Sequence, residues 1–128
     1  MRIALIVTAL ALAATPGAAR DRNRVPVATP AGPAVSCVPL RQIRSTAVRS
    51  DRVIDFVMYG RNKVYRNTLP QACPRLGFEE RFSYATSISS LCSNDIIRVL
   101  ESAGPRLTTG AACGLGKFEP VTLAPRAR

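Results

Sequence analysis

The stretch that decides the fold reads RVIDFVMYGRNKVYRN over residues 52–67. Successive side chains of a strand point to opposite faces. In the first half of the stretch, Ile54, Phe56 and Met58 would therefore share one face and Asp55 would lie on the other. Residues 59–62 have the composition of a turn, and residues 63–67 have the pattern of a returning strand. The stretch therefore predicts a β-hairpin.

Beyond this hairpin, polar and apolar side chains alternate over residues 81–86. This pattern predicts a strand with Phe82 and Tyr84 facing inward. Residues 116–121 predict a final strand, and residues 68–76, which contain two prolines, predict a loop or short helical turn. Residues 95–103 are ambiguous. Their apolar residues fit a helical spacing that Gly104-Pro105 ends, yet they also suit a buried strand, and local signals lean slightly to helix.

These patterns predict a mainly β domain, a small antiparallel sheet or barrel with at most one short helix and two disulfides. We place it at residues 37–121. Residues 20–36 are rich in Pro, Ala and Arg and predict a disordered linker, and residues 122–128 predict a flexible tail.

The N-terminus has the three parts of a cleavable signal peptide. Arg2 is followed by an uncharged run from Ile3 to Ala14, and Gly17 and Ala19 place small residues before a cleavage site. The run is shorter than the about 20 residues that a spanning helix needs. We therefore expect residues 1–19 to be removed, no transmembrane segment in the mature chain, and a periplasmic or secreted location.

Export changes how the four cysteines are interpreted. An even number of cysteines in a small exported chain predicts a disulfide framework. Structural zinc sites and redox-active pairs usually contain C-x-x-C, which is missing from this chain, and there is no histidine. We expect structural disulfides, no metal site and no cofactor.

The order and spacing of several short motifs give the chain a family resemblance. They are Cys37, the strand that ends at Met58, Cys73-Pro74-Arg75-Leu76, Leu91-Cys92, and Cys113 to Val121. In these the chain resembles a family of small exported proteobacterial proteins with four cysteines and no assigned function. The resemblance implies a Gram-negative periplasm or cell exterior and a mostly β domain. It also favours a strand at residues 95–100, and it supplies no catalytic residues.

Four cysteines allow three pairings. If residues 95–100 pair antiparallel with residues 114–118, residue 100 lies near residue 113, and Cys92 then lies away from Cys113. This register disfavours a Cys92–Cys113 bond. Of the two remaining pairings we predict Cys37–Cys113 with Cys73–Cys92, which ties the first and last segments together and leaves a local loop around Glu79.

No pattern in the sequence points to catalysis. Without histidine, Ser-His-Asp and Cys-His arrangements are impossible. Gly114-Leu115-Gly116-Lys117 lacks the P-loop spacing and is better explained as a glycine-rich entry to the last strand. We expect a protein that is not an enzyme. The alternatives left open are a small envelope hydrolase or an enzyme-inhibitor-like factor with an unrecognised site, and a structural envelope component.

Charge is the remaining functional indicator. The chain has 18 basic and 8 acidic residues, for a formal net charge of +10. Arg61 and Lys63 fall near the predicted hairpin turn and form a candidate anion-binding rim. In an exported protein the partner would be an anionic envelope polymer or lipid rather than nucleic acid, which the compartment disfavours. Solubilisation by charge is the simpler alternative.

The first testable prediction concerns processing. Expression of the full chain in a Gram-negative host should yield an exported protein that begins at Arg20, because Gly17 and Ala19 suit the cleavage site. Intact-mass spectrometry of the exported protein checks this. A chain that retains Met1, or a lipid on Cys37, would contradict the interpretation.

Overall fold

The computed structural model describes residues 25–125, so the predicted signal peptide lies outside the described residues. In chain order the elements are β1 (Ala28–Pro30), β2 (Cys37–Pro39), a 3-10 turn (Leu40–Gln42), β3 (Ile43–Val48), β4 (Val53–Met58), β5 (Val64–Thr68), α1 (Leu76–Glu79), β6 (Phe82–Tyr84), β7 (Ser90–Cys92), β8 (Ile96–Ala103), β9 (Arg106–Gly114) and β10 (Phe118–Leu123). The mainly β prediction is confirmed. Over residues 25–125 no helix has the length and apolarity needed to span a membrane.

The strands form three antiparallel sheets. A large sheet has five strands in the order β1-β10-β5-β4-β3, a small sheet has three in the order β6-β8-β9, and β2 and β7 form a separate pair. The predicted hairpin is β4 and β5, with Val57 opposite Val64 and Asp55 opposite Arg66. It lies inside the large sheet, between β3 and β10.

The core lies where the inner faces of the large and small sheets meet. Ile54, Phe56 and Met58 are at most 1% exposed, as the alternation of β4 predicts. The Phe56 ring makes edge contacts with Phe118 of the large sheet and Phe82 of the small sheet, with centroids 5.3 and 6.3 Å apart. Burial of each large apolar side chain contributes about 1.5–3 kcal/mol, and aromatic edge contacts add to this.

A buried amide fixes the connection into β10. Asn67 donates from its Nδ2 to the Gly116 carbonyl at 2.7 Å and accepts the Gly116 N–H at 2.8 Å. A Cβ at residue 116 would collide with the Thr68 carbonyl oxygen, so only glycine fits. The glycine-rich stretch 114–117 is therefore the entry to the final strand, as expected from its sequence.

The outer face of β4 buries a charge. Asp55 is 0% exposed, and its carboxylate accepts hydrogen bonds from Nε of Arg49 at 2.9 Å and Nε of Arg66 at 2.8 Å. Arg66 also donates from its Nη1 to the Pro26 carbonyl at 2.9 Å. The Asp55 carboxylate thus joins β4 to β5 and to the segment after β3. Through its bond to the Pro26 carbonyl, Arg66 also joins this cluster to the segment before β1.

Residues 96–103 form a strand, so the local preference for helix was wrong. Ile97 and Val99 are buried while Ile96 and Arg98 are exposed, which is the period of two of a strand. β8 pairs with β6 on one side and β9 on the other. This tertiary pairing overrides a local helical spacing, since β-branched residues suit either state.

Both predicted disulfide pairs are wrong. The bonds join Cys37 to Cys92 and Cys73 to Cys113. Cys37 lies directly opposite Cys92 in the β2–β7 pair, which the sequence patterns did not predict. Cys113 lies opposite Ile97 rather than near Leu100, so the predicted register was three residues off, although its exclusion of a Cys92–Cys113 bond was correct. In the chain-entropy model each bond contributes about 4 kcal/mol.

Three smaller expectations also change. Ala28–Pro30 is a strand paired with β10 rather than part of a disordered linker, and Thr122 and Leu123 belong to β10 rather than to the tail. The small side chains of 28–30 gave no strand signal. Tyr84 is 41% exposed rather than inward, because it lies at the rim of the core beyond Phe82.

The short helix α1 is held to β8 by one carboxylate. Glu79 accepts a hydrogen bond from Nη2 of Arg75 at 3.1 Å and one from the Ser102 N–H at 3.3 Å. The Arg75 hydrogen bond is the largest of the effects that lower the pKa of Glu79 below its ordinary value of 4.5, although desolvation opposes it. The charged form of Glu79 therefore stabilises the attachment of α1.

The buried ion pair leads to a stability prediction. Asp55→Ala should lower the free energy of unfolding by about 3–5 kcal/mol, because it removes the shared partner of two largely covered arginines. Urea unfolding with the disulfides intact measures it. Glu119→Ala is the matched control. Glu119 is exposed on β10, opposite Arg66 of β5, and its replacement should lower the free energy of unfolding by less than about 0.5 kcal/mol. Equal losses in the two variants would contradict the assignment.

The Glu79 contacts lead to a pH prediction. Because the folded-state pKa of Glu79 is lowered, its contribution is present above pH 4.5 and is lost as the pH falls through the folded-state pKa. Arg75→Gln should move the Glu79 pKa upward, as followed by carboxyl-carbon NMR. Arg106→Gln removes a charge without touching Glu79 and serves as the control. An unmoved Glu79 pKa in Arg75→Gln would refute the Arg75 hydrogen bond as the main cause of the lowered pKa.

Candidate functional site

The candidate residues Arg61 and Lys63 lie in the connection between β4 and β5. Gly60 and Asn62 have φ angles of 112° and 53°, so the chain turns sharply through the left-handed region there. Arg61 and Lys63 are both exposed. The Nζ atom of Lys63 lies 5.9 Å from the centroid of the Tyr65 ring, within range of a cation–π contact. The turn therefore presents two cations to solvent at one end of the large sheet.

Two further arginines belong to the same end of the sheet. Tyr59 donates its N–H to the Gln42 carbonyl at 2.9 Å, which brings the 3-10 turn beside the hairpin turn. Ile43 lies opposite Met58, and Arg44 occupies the irregularity that follows Ile43 in β3. Arg41 and Arg44 are exposed on this segment.

We call the four residues Arg41, Arg44, Arg61 and Lys63 the basic end. Only two of them were predicted from the sequence. Arg41 and Arg44 could have been found by adding a strand before the hairpin, to make a three-stranded meander. Residues 43–48 would then pair antiparallel with residues 53–58. No alternation over residues 43–48 was strong enough to indicate that strand, because Arg44, Ser45 and Thr46 are all polar and all exposed.

The basic end carries charge that has no acidic partner among residues 25–125, in contrast to the arginines that form ion pairs. Among residues 25–125, the ion pairs within 4.0 Å involve Arg49, Arg66 and Arg75. None of them involves a residue of the basic end. The sheet's buried carboxylate, Asp55, is already engaged by two other arginines. The positive charge of the basic end is thus not neutralised by any acidic side chain of the described part of the chain.

Two other cations, one in the hairpin and one before β6, make contacts elsewhere. Arg66 pairs with Asp55, and its side chain is only 12% exposed. Arg81 is exposed, but it precedes β6 of the small sheet and donates to the Ser102 hydroxyl at 3.2 Å. Neither adds to the basic end.

The chemistry available at the basic end is that of anion binding. A guanidinium presents donors in a planar fork that matches phosphate and carboxylate, and an ammonium acts as a point charge. Tyr59, which is 64% exposed beside the turn, adds an aromatic ring and a hydroxyl. In the described part of the chain, no three His, Cys, Asp or Glu side chains come together as a metal-binding group.

Comparisons with known proteins give no guide to this site, since no family model, no curated protein and no solved structure matches the chain.

Proposed function

We propose that this chain is a small exported binding domain, not an enzyme, whose basic end holds an anionic polymer or lipid of the cell envelope. The observation that carries the proposal is the gathering of four exposed cations at one end of the large sheet, none with an acidic partner among residues 25–125. Two lie on the β4–β5 turn and two on the neighbouring 3-10 turn and β3.

The physical argument is that charges of one sign on a single surface add their fields. An approaching polyanion meets this field before contact, which raises the association rate and the local concentration of anionic groups. Cations scattered evenly and paired with carboxylates, as Arg75 is with Glu79, produce little of this effect. A single-sign end on a compact domain therefore favours a repeating or multiply charged anion over a small neutral ligand.

The disulfides support an exported location. Both bonds cross between distant segments, over separations of 55 and 40 residues, and such bonds persist in oxidising compartments such as the periplasm or the cell exterior. The anions available there carry phosphate or carboxylate groups. We propose lipopolysaccharide, anionic phospholipid and acidic polysaccharide as the partner classes.

The proposal predicts a localised loss on charge removal. Arg61→Ser with Lys63→Ser should weaken binding to phosphatidylglycerol-containing vesicles and to lipopolysaccharide by about 30-fold at low salt, since each basic residue near an anionic surface contributes about 1 kcal/mol. The matched control is Arg98→Ser with Arg106→Ser, which removes the same charge from exposed sites on the small sheet. Binding of the wild-type chain should also fall steeply from low to physiological salt, because exposed charges are screened over about 8–10 Å there.

Vesicle co-sedimentation and titration calorimetry measure these affinities, and urea unfolding verifies that each variant remains folded. Vesicles of phosphatidylcholine alone should not bind. Equal losses in the two double variants would mean that net charge acts without a site. Absence of binding to either probe at low salt would leave the charge as simple solubilisation.

A further inference from the structure

The strand β9 has an open edge. It pairs with β8 through residues 106–114, and over residues 25–125 no strand pairs with its other side. Between Arg106 and the end of β9 there is no charged residue and no proline. Natural sheets usually protect an edge with charges, proline, irregular pairing or shortness, because an open edge offers its peptide groups to another strand.

The other sheet edges do have such protection. β1 has three residues and ends in Pro30, and β6 has three residues. β3 is longer, but its pairing is irregular at Arg44, which also places a charge there. In β9, two residues, Gly110 and Ala111, face Val99 in a bulge, and the segment after the bulge is regular. The unprotected edge is therefore the segment 112–114.

The ladder shows which peptide groups point outward. Leu115 donates its N–H to the Asp95 carbonyl at 2.9 Å, so the hydrogen-bonded pairs of β8 and β9 are 95/115 and 97/113. Gly114 falls between these two pairs and Ala112 follows the second, so by the alternation of the ladder both are non-hydrogen-bonded positions toward β8. A second observation agrees with this. Leu100 donates its N–H to the Arg81 carbonyl, so the backbone N–H and C=O of Arg98 point to Ser83 of β6 and not to Ala112. The N–H and C=O of Ala112 and Gly114 thus point to the open edge.

A groove runs along this edge. It has a volume of about 550 Å³, and its opposite wall is the loop that the Cys73–Cys113 disulfide ties to β9. Small or proline side chains dominate the lining, so the main chain of β9 is accessible from the groove. The lining residues are Pro70, Gln71, Ala72, Pro74, Ala111, Ala112, Cys113 and Gly114.

The charges around the groove favour an acidic occupant. Arg98 is exposed, lies opposite Ala112, and has no acidic partner among the described residues. Arg52 donates to the carbonyls of Leu69 and Pro70 at 3.0 and 2.7 Å, at the start of the groove loop. The acidic side chains of the segments that adjoin the groove already accept hydrogen bonds or pair with a cation: Asp51 with the Gly77 N–H, Asp95 with the Cys92 N–H, and Glu101 with Arg75. A second copy of this strongly basic chain would bring like charges together.

We propose that this groove binds an extended acidic peptide segment, which adds to β9 as a strand. The outward N–H and C=O of Ala112 and Gly114 bond the peptide backbone, and Arg98 and Arg52 attract its carboxylates. This is strand addition, in which main-chain hydrogen bonds give affinity and alternate side chains give specificity. The site is distinct from the basic end, so neither proposal depends on the other.

The test uses the oxidised mature chain and labelled, end-blocked peptides with a common Val-Thr-Val centre flanked by Glu on both sides, or by Lys on both sides. The acidic peptide should bind more tightly than the basic one and should shift the backbone amide NMR signals of Ala112 and Gly114. Ala112→Pro removes one outward N–H without breaking the β8 ladder, and should weaken acidic-peptide binding by about tenfold. Ala112→Val keeps the N–H and should lose less acidic-peptide binding than Ala112→Pro does.

Two further arms keep the test decisive. An acidic peptide N-methylated at the amides that face β9 should lose binding to the wild-type chain, even if Ala112→Pro fails to fold. The Arg61→Ser, Lys63→Ser variant should bind the acidic peptide at β9 as the wild type does. The proposal is overturned if the N-methylated peptide binds normally, if the basic peptide binds as tightly, if the shifts map to the basic end, or if sedimentation shows a dimer that Ala112→Pro abolishes.

Discussion

The ring of Phe56 is the contact on which the rest of the structure depends. It meets Phe118 within the large sheet and Phe82 on the small sheet, and so joins the two at the centre of the core. Because β4 alternates, fixing Phe56 inward also fixes Asp55 outward, where the carboxylate draws in Arg49 and Arg66. A slip of one residue would bury the charge in the core and expose the ring. Packing and ion pairing therefore enforce the same register from opposite faces.

The hairpin could be predicted from sequence because its information is local. Alternation and turn composition over residues 52–67 suffice to place β4, β5 and the inward face. The strand β8 and the disulfides could not be predicted in this way. Ile96, Ile97 and Val99 suit helix or strand until β6 and β9 are placed on either side. The pairing of Cys37 with Cys92 depends on a three-residue strand pair whose sequences carry almost no pattern.

The residues of the candidate site likewise fall into those that local sequence indicates and those that only strand pairing brings together. Arg61 and Lys63 were found because they lie next to a strong turn signal, whereas Arg41 and Arg44 reach the same end only through the pairing of β3 with β4. Neither the groove nor the open edge of β9 could be recognised from sequence, since an edge is defined by the absence of a neighbouring strand. The features proposed to carry function therefore come from strand order rather than from recognisable motifs.

The connectivity of the two disulfides has a consequence for how the chain acquires its bonds. The first cysteine pairs with the third and the second with the fourth, so the two covalent loops overlap. A chain that emerges from its N-terminus into an oxidising compartment presents Cys37 and Cys73 before either native partner. Bonds made in order of emergence would join these two, and the native pairs would then require thiol–disulfide exchange. Correct maturation thus depends on delaying oxidation until β7 and β9 are available, or on an isomerase that reshuffles the first bond.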